Sequence, residues 1–406
     1  MRIKYKKIML FLVLLSFFIP EGLSILGSEE VITNAVFLNN SIIHMAIKML
    51  YWIRNGIGIC YAIYYILNKL YRVASDNFRV AFTPLDFFAL FAIWMLYTSN
   101  KNRVELYDVA ILVLACFGNI VYMGNEIYKN QYSVIKSGKD ILSVLLFVNL
   151  FLVLLFPNGI ATGLDYLSTP YHFFGTKNQS TPLFILASVL FFMHEEYSHN
   201  YIESVAEQLL VILNVILYGS GTGILCVVMN VVLNVYQKRR KYANQIKSSK
   251  QLKRLIVFAV LLTIGVVFLN AQNLFSFLIV DILGKDITLS GRTAIWDNAI
   301  SAIKKHPFLG HGYGFKVDRN FYSHNLLLEL LVTGGLVGFI LYIGFIGKSV
   351  VRAIKQRSCF MSILLCGTIS MIACNISEAF IYSFPQLLLC CMMFSIQNNE
   401  IKGKDK

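Results

Sequence analysis

The sequence predicts an all-α, multi-pass membrane protein. Three observations carry that prediction. Of the 406 residues, 57% are hydrophobic and 14% charged, where soluble chains run at about 45–50% apolar and about 25% charged. Apolar stretches close to the ~20 residues that cross a bilayer recur along the chain. Between them, basic residues fall in short runs, as in loops held on the cytoplasmic side. This balance excludes a soluble globular enzyme, a disordered chain and a secreted disulfide scaffold, because so little charge cannot coat so much apolar surface.

The pattern predicts twelve spans, approximately 8–26, 48–68, 85–99, 104–124, 139–157, 182–196, 203–219, 222–237, 255–270, 324–347, 359–376 and 379–396. The first has a basic start and an apolar body like a signal peptide. No small-residue cleavage site follows clearly, so it is read as an anchor. Residues 27–47 are too polar to span and are placed at the outer surface. The stretch 203–237 is read as two short spans joined at Gly219-Ser220-Gly221-Thr222-Gly223, a glycine cluster suited to a tight external turn.

Parity supports the count. With Arg2, Lys4, Lys6 and Lys7 inside, twelve crossings also put 69–84, 125–138, 238–254, 348–358 and the basic tail inside. Both termini are then cytoplasmic. Two substantial loops remain outside, 158–181 and 271–323. The chain thus divides into spans 1–9 over 1–270, an extracytoplasmic loop with a short amphipathic helix over 271–323, and spans 10–12 with the tail over 324–406.

The net charge of +14 comes from 36 Lys+Arg against 22 Asp+Glu. Loop charge facing anionic headgroups accounts for it, and nucleic-acid binding is not expected. The eight cysteines lie in apolar stretches with no CxxC pair, and read as small buried hydrophobes. His194-Glu195-Glu196-Tyr197-Ser198-His199 resembles a zinc-protease helix, but its histidines are five apart where one helix face needs four. No metal site, Walker A loop or cofactor is predicted.

The long outer loop carries the candidate chemistry. Over 293–305, Ile295, Trp296, Ala299, Ile300 and Ile303 share one helix face, and Asp297, Asn298, Ser301, Lys304 and Lys305 take the other. Pro307 forbids continuation, and Ser290 is an N-cap candidate. Arg292 then sits in the first turn, where unpaired N–H groups, the helix dipole and a guanidinium fork suit a phosphate or pyrophosphate. The alternative is an exposed loop arginine without a ligand.

Gly310, Gly312 and Gly314 alternate with His311 and Tyr313. No strand precedes them, so a dinucleotide loop is rejected in favour of a tight turn bringing backbone close to a ligand or the membrane surface. His324 and Asn325 open the tenth span, where an imidazole exchanges protons near neutral pH or simply caps the helix. Glu378, in the last external hairpin, is a candidate to orient a hydroxyl or act as base, or a solvated turn. Arg54, inside the second span, is a functional candidate by default, with snorkelling to the headgroups as its alternative.

At these residues the sequence resembles the O-antigen polymerase and ligase family, the Wzy-type membrane glycosyltransferases. The matching string is Ser290-Gly291-Arg292, Trp296, then Pro307-Phe308-Leu309-Gly310-His311-Gly312-Tyr313-Gly314. His324-Asn325 with Leu328, and Thr333-Gly334-Gly335 with Gly338, complete it. The resemblance implies a GT-C-like helical fold and a donor glycan on undecaprenyl pyrophosphate, transferred without nucleotide or metal. It implies that Arg292 holds the pyrophosphate and that His324 positions or deprotonates the acceptor hydroxyl, with Glu378 as a further catalytic candidate.

The family often has Ser-Arg in an outer mid-chain turn. Here glycine follows Ser220, so a second cation would come from Arg54, Lys285 or Arg319, or be absent, with glycine N–H groups as a substitute. Arg54, Ser220, Gly310, Gly312, Arg319 and Asn325 are the expected substrate-binding residues. The implied partners are a lipid-linked oligosaccharide, the bilayer, a chain-length regulator and a flippase. The implied function is a polysaccharide polymerase at the outer face of the cytoplasmic membrane. A ligase of the same family is the alternative. A lipid-linked sugar transporter would be expected to show related halves and mid-membrane charges, and neither is seen.

Overall fold

The computed structural model describes residues 2–26, 31–33, 41–75, 81–164, 168–240, 245–269, 292–318 and 321–397. Among these, helix dominates. In chain order the helices are α1 (Arg2–Phe17), α2 (Glu21–Ser24), α3 (Ser41–Ser75), α4 (Pro84–Lys101), α5 (Leu106–Leu155), α6 (Thr181–Ser198), α7 (Tyr201–Leu217), α8 (Gly221–Arg240), α9 (Gln245–Leu269), α10 (Arg292–Lys305), α11 (Leu326–Gln356), α12 (Cys359–Cys374) and α13 (Phe384–Ser395). Two of them, α5 and α11, are long and apolar enough to cross a membrane.

The expectation of an all-α chain needs one correction. Three short strands, β1 (Val31–Thr33), β2 (Ala161–Gly163) and β3 (Pro170–Tyr171), form an antiparallel sheet in the order β1-β2-β3. Strands this short carry no readable alternation, and their pairing joins positions as far apart as Ile32 and Thr162. A second correction concerns 125–138, expected as a loop. It is helical, and α5 runs through it with a single non-helical residue, Asn130 (φ −154°, ψ 77°). The Asn130 carboxamide restarts the helix by accepting from the Ser133 amide at 3.0 Å. By contrast, 203–237 does divide, with α7 and α8 separated by a turn at 218–220. Helices α9 and α11 also take in parts of the basic runs assigned to loops, since lysine and arginine are good helix formers.

The chain forms two compact units. Residues 1–56 and 125–242 belong to one, and 57–124 and 243–398 to the other. In the first unit, α7 is amphipathic with its polar face inward. Ser204, Glu207, Gln208 and Asn214 are buried, while Ile202, Val205, Leu209, Leu213 and Ile216 are exposed. The buried amides find partners on neighbouring helices. Asn214 is bonded by Asn149 at 2.5 Å, Ser188 donates to Gln208 at 2.6 Å, and Asn230 donates to Ser188 at 2.8 Å. Apolar faces outward and hydrogen-bonded polar groups between helices are what a hydrocarbon surround selects.

In the second unit, α11 packs along α4 and also contacts α10, α12 and α13, with α9 against α12. Among the cysteines, Cys226, Cys366, Cys374, Cys390 and Cys391 are buried, as expected for small hydrophobes, whereas Cys60 is exposed.

Candidate functional site

The site assembles in the second unit, and its first component is α10. The amphipathic pattern read for 293–305 docks as expected. Trp296, Ala299 and Ala302 are buried, and Trp296 and Ala299 join Val266, Leu328 and Val332 in one apolar cluster. The helix ends at Lys305, two residues before Pro307. Its first residue is Arg292; the N-cap candidate Ser290 lies outside the described residues.

The second component is the start of α11. Asn325 caps it, its carboxamide oxygen accepting from the Leu327 and Leu328 amides at 3.0 and 3.1 Å. The same side chain donates to the Ile376 carbonyl at 3.0 Å, and the Leu326 amide donates to the Asn375 carbonyl at 3.1 Å. These two bonds stitch the 375–383 hairpin, between α12 and α13, to the head of α11.

His324 sits in this junction with φ +49°, a left-handed conformation that a non-glycine residue keeps only when its surroundings hold it. The hold is visible on both sides. Asn325 fixes the following turn. Ahead of it, Ser323 donates through its amide (3.0 Å) and its hydroxyl (2.7 Å) to the Glu329 carboxylate, and its carbonyl accepts from the Trp296 indole at 3.1 Å. Trp296 lies one helical turn beyond Arg292, so the helix carrying the arginine and the loop carrying the histidine share this latch.

Glu378 brings the parts together. One carboxylate oxygen accepts from Arg292 Nη2 at 2.8 Å and the other meets His324 Nδ1 at 3.2 Å, while Arg292 Nη1 donates to the Ser377 carbonyl. The side chains of Arg292 and Glu378 are 14% exposed and that of His324 31%. Burial works against ionisation of Glu378, but the bond from His324 and the charge of Arg292 outweigh it and hold the carboxyl below the usual carboxylate range. An ionised carboxylate only accepts, so His324 Nδ1 carries the proton in the bond. In the neutral imidazole, Nε2 then bears the lone pair. Arg292 has five N–H donors, and these contacts use two.

Beside this constellation lies an apolar cavity of about 390 Å³, walled by α9, α11, α12 and α13. Leu326 and Asn375 line the end next to His324 and Glu378, and Val350 and Thr368 lie farther along.

The remaining sequence candidates make other contacts. Gly310 and Gly312 do approach backbone closely, but the backbone is that of α11 and α4. Helix α11 breaks at Gly335 (φ +61°), and the loop fills the break. His311 and Gly312 amides donate to the Val332 and Thr333 carbonyls at 2.8 and 2.9 Å, and the Leu336 amide donates to the Pro307 carbonyl at 2.8 Å. A Cβ on Gly310 would lie 2.4 Å from the Thr333 oxygen, and one on Gly312 2.9 Å from Ser99 Cα. Gly310 and Gly312 therefore form a backbone clasp on α11 and α4.

Ser220 and Arg54 belong to the first unit. Ser220 is buried, accepts from the Gly223 amide at 3.0 Å as the cap of α8, and donates to Asn178 at 3.1 Å. Arg54 lies over the Tyr51 ring at 4.5 Å. Arg319 and Lys285 fall outside the described residues. Ser323 and Ser377 carry no local sequence signal of their part in this junction. Glu329 is signalled only as an acid in the first turn of α11, ahead of a long apolar run.

Comparison with a family model bears on the same stretch. The O-antigen ligase family matches residues 208–343, which contain Arg292 and His324. The exopolysaccharide production protein ExoQ of Rhizobium meliloti (strain 1021) is 38% identical over 82 residues, covering 16% of this chain and 19% of that protein. The match thus spans about a fifth of the relative's length. The segment that supplies the arginine, the histidine and the glycine clasp lies within the stretch that matches the O-antigen ligase family.

Proposed function

We propose that the protein is a polysaccharide polymerase of the cytoplasmic membrane. It transfers a glycan from undecaprenyl pyrophosphate onto a sugar hydroxyl of a second lipid-linked repeat unit at the outer face. The observation that carries this reading is the Arg292–Glu378–His324 constellation at the head of an apolar cavity. A glycosyl pyrophosphate is already activated, so the enzyme must stabilise charge on the leaving group and take a proton from the acceptor. Arg292 supplies the first with its remaining donors. His324 supplies the second through Nε2, with Glu378 fixing the tautomer and stabilising the imidazolium that forms.

The cavity suits the lipid. Its walls on α9, α11, α12 and α13 are almost entirely apolar, from Leu326 at the head of α11 to Val350 near its end, as an isoprenoid chain requires. In this reading the chain crosses the membrane twelve times in a GT-C-like arrangement. Both termini are inside, 271–323 is outside, and the chemistry uses a guanidinium where other transferases use a metal ion. A chain-length regulator and a flippase are the expected partners.

A ligase that moves glycan to a different acceptor is the second reading, favoured by the family whose description matches 208–343. Reconstitution with synthetic undecaprenyl-pyrophosphate repeat units separates the two. Ladder formation without a foreign acceptor supports the polymerase, and single capping of a foreign acceptor supports the ligase. Arg292→Ala and His324→Ala should each insert normally and lose long-chain product. Normal ladders from the double variant would discard the assignment, as would labelling that puts residues near 300 inside the cell.

A further inference from the structure

A second pocket, of about 340 Å³, opens between the α4–α5 connection and the loop at 311–315. Its walls differ from those of the apolar cavity. The α5 side contributes Asn102, Glu105 and Asp108, and the loop contributes the rings of His311, Tyr313 and Phe315.

The polar atoms on offer are nearly all acceptors. Glu105 and Asp108 form no ion pair or side-chain hydrogen bond with any described residue. The Asn102 amide nitrogen is already committed to the Thr98 and Gly310 carbonyls (2.8 and 3.4 Å), which leaves its oxygen. Burial pushes the His311 imidazole below its ordinary value, so it is neutral near pH 7, and its Nε2 is engaged by the Ala302 carbonyl at 3.0 Å.

Acids at the start of a helix are favoured by the dipole alone. The aromatic wall and the concave shape are what point to a ligand. A pocket of acceptors beside aromatic faces calls for a molecule that presents many O–H donors and apolar C–H faces, which describes a sugar. It repels anions, so a pyrophosphate or a uronate does not fit. The pocket is also built rigidly. The glycine clasp anchors its loop to α11, and the Tyr313 amide donates to Ser99 Oγ at 3.0 Å. Tyr313 meets Tyr382 edge to face at 5.7 Å, on the chain segment that also carries Glu378.

We propose that this pocket is a saccharide subsite that receives a neutral sugar of the acceptor glycan, gripped by Glu105 and Asp108 against Tyr313 and Phe315. It rests on the transferase reading for the word acceptor, but sugar binding is measurable without donor lipid or turnover. The test is saturation-transfer NMR on the full chain in detergent, with methyl β-D-galactopyranoside, methyl α-D-glucopyranoside and methyl glucuronoside as probes.

At least one neutral glycoside should bind saturably, and the glucuronoside should not compete. Glu105→Gln with Asp108→Asn should weaken binding by about tenfold or more, as expected for lost hydrogen bonds to charged acceptors. Both residues are exposed, so the fold should be retained. Equal binding by wild type and the double variant would overturn the subsite, as would glucuronoside binding as well as the neutral sugars. Failure of both neutral glycosides to bind, or calcium chloride binding with no sugar signal, would also overturn it. Saturable sugar binding by a protein that makes no product in reconstitution would keep the subsite and sink the transferase.

Discussion

The clasp between the 307–314 loop and the break in α11 makes a quantitative prediction, because two of its glycines are matched in backbone but not in surroundings. Gly310 (φ +71°) and Gly314 (φ +77°) both hold left-handed conformations. Alanine at either position takes on the left-handed penalty of about 1–2 kcal/mol. At Gly314 nothing lies within 4 Å of the added Cβ, so the penalty should end there. At Gly310 the Cβ would lie 2.4 Å from the Thr333 oxygen and 2.5 Å from the Gly335 nitrogen, both backbone atoms that cannot rotate aside.

The loop must then lift, which breaks His311–Val332, Gly312–Thr333 and Leu336–Pro307. At about 1 kcal/mol for each of those bonds, Gly310→Ala should cost about 3 kcal/mol more than Gly314→Ala. For a unit of this size that difference corresponds to a Tm lower by about 6–12 °C. Tryptophan emission during thermal unfolding in detergent reads it directly, since the Trp94 indole donates to the Gly334 carbonyl at 2.7 Å, inside the clasp. If the two variants melt within about 3 °C of each other, the clasp is not what holds the loop.

Two further outcomes test the site itself. Trp296→Phe removes the indole bond to the Ser323 carbonyl at 3.1 Å and some buried volume, for about 2 kcal/mol of local stability. Because the latch ties the loop carrying His324 to the helix carrying Arg292, turnover should fall, and unchanged turnover would dismiss the latch. Glu378 titrates below the ordinary carboxylate value of 4.5. Its contribution to stability should therefore be complete above about pH 5 and fade as the pH drops through the depressed folded-state value. Thermal melts from pH 7 to pH 3 should show an acid-side loss in the wild type that is reduced in Glu378→Gln, and parallel curves would mean the carboxylate is not held as described.

The sequence alone determined the helices, because helix formation is local. Apolar runs of near-membrane length, an amphipathic 3.6-residue period ahead of Pro307, and the glycine break at 219–223 each speak through neighbouring residues. It likewise picked out Arg292, His324 and Glu378 by charge and position. Only the tertiary structure decided that the three meet, since 86 residues separate Arg292 from Glu378 and 54 separate His324 from Glu378. The same holds for the partner of the glycine string. A Gly-x-Gly-x-Gly turn reads alike whether it faces a ligand or another backbone, and the break at Gly335 that receives it is itself formed by the packing. The small sheet and the aromatic wall beside Glu105 and Asp108 were decided the same way. Each depends on contacts between segments distant in the chain, which no local pattern records.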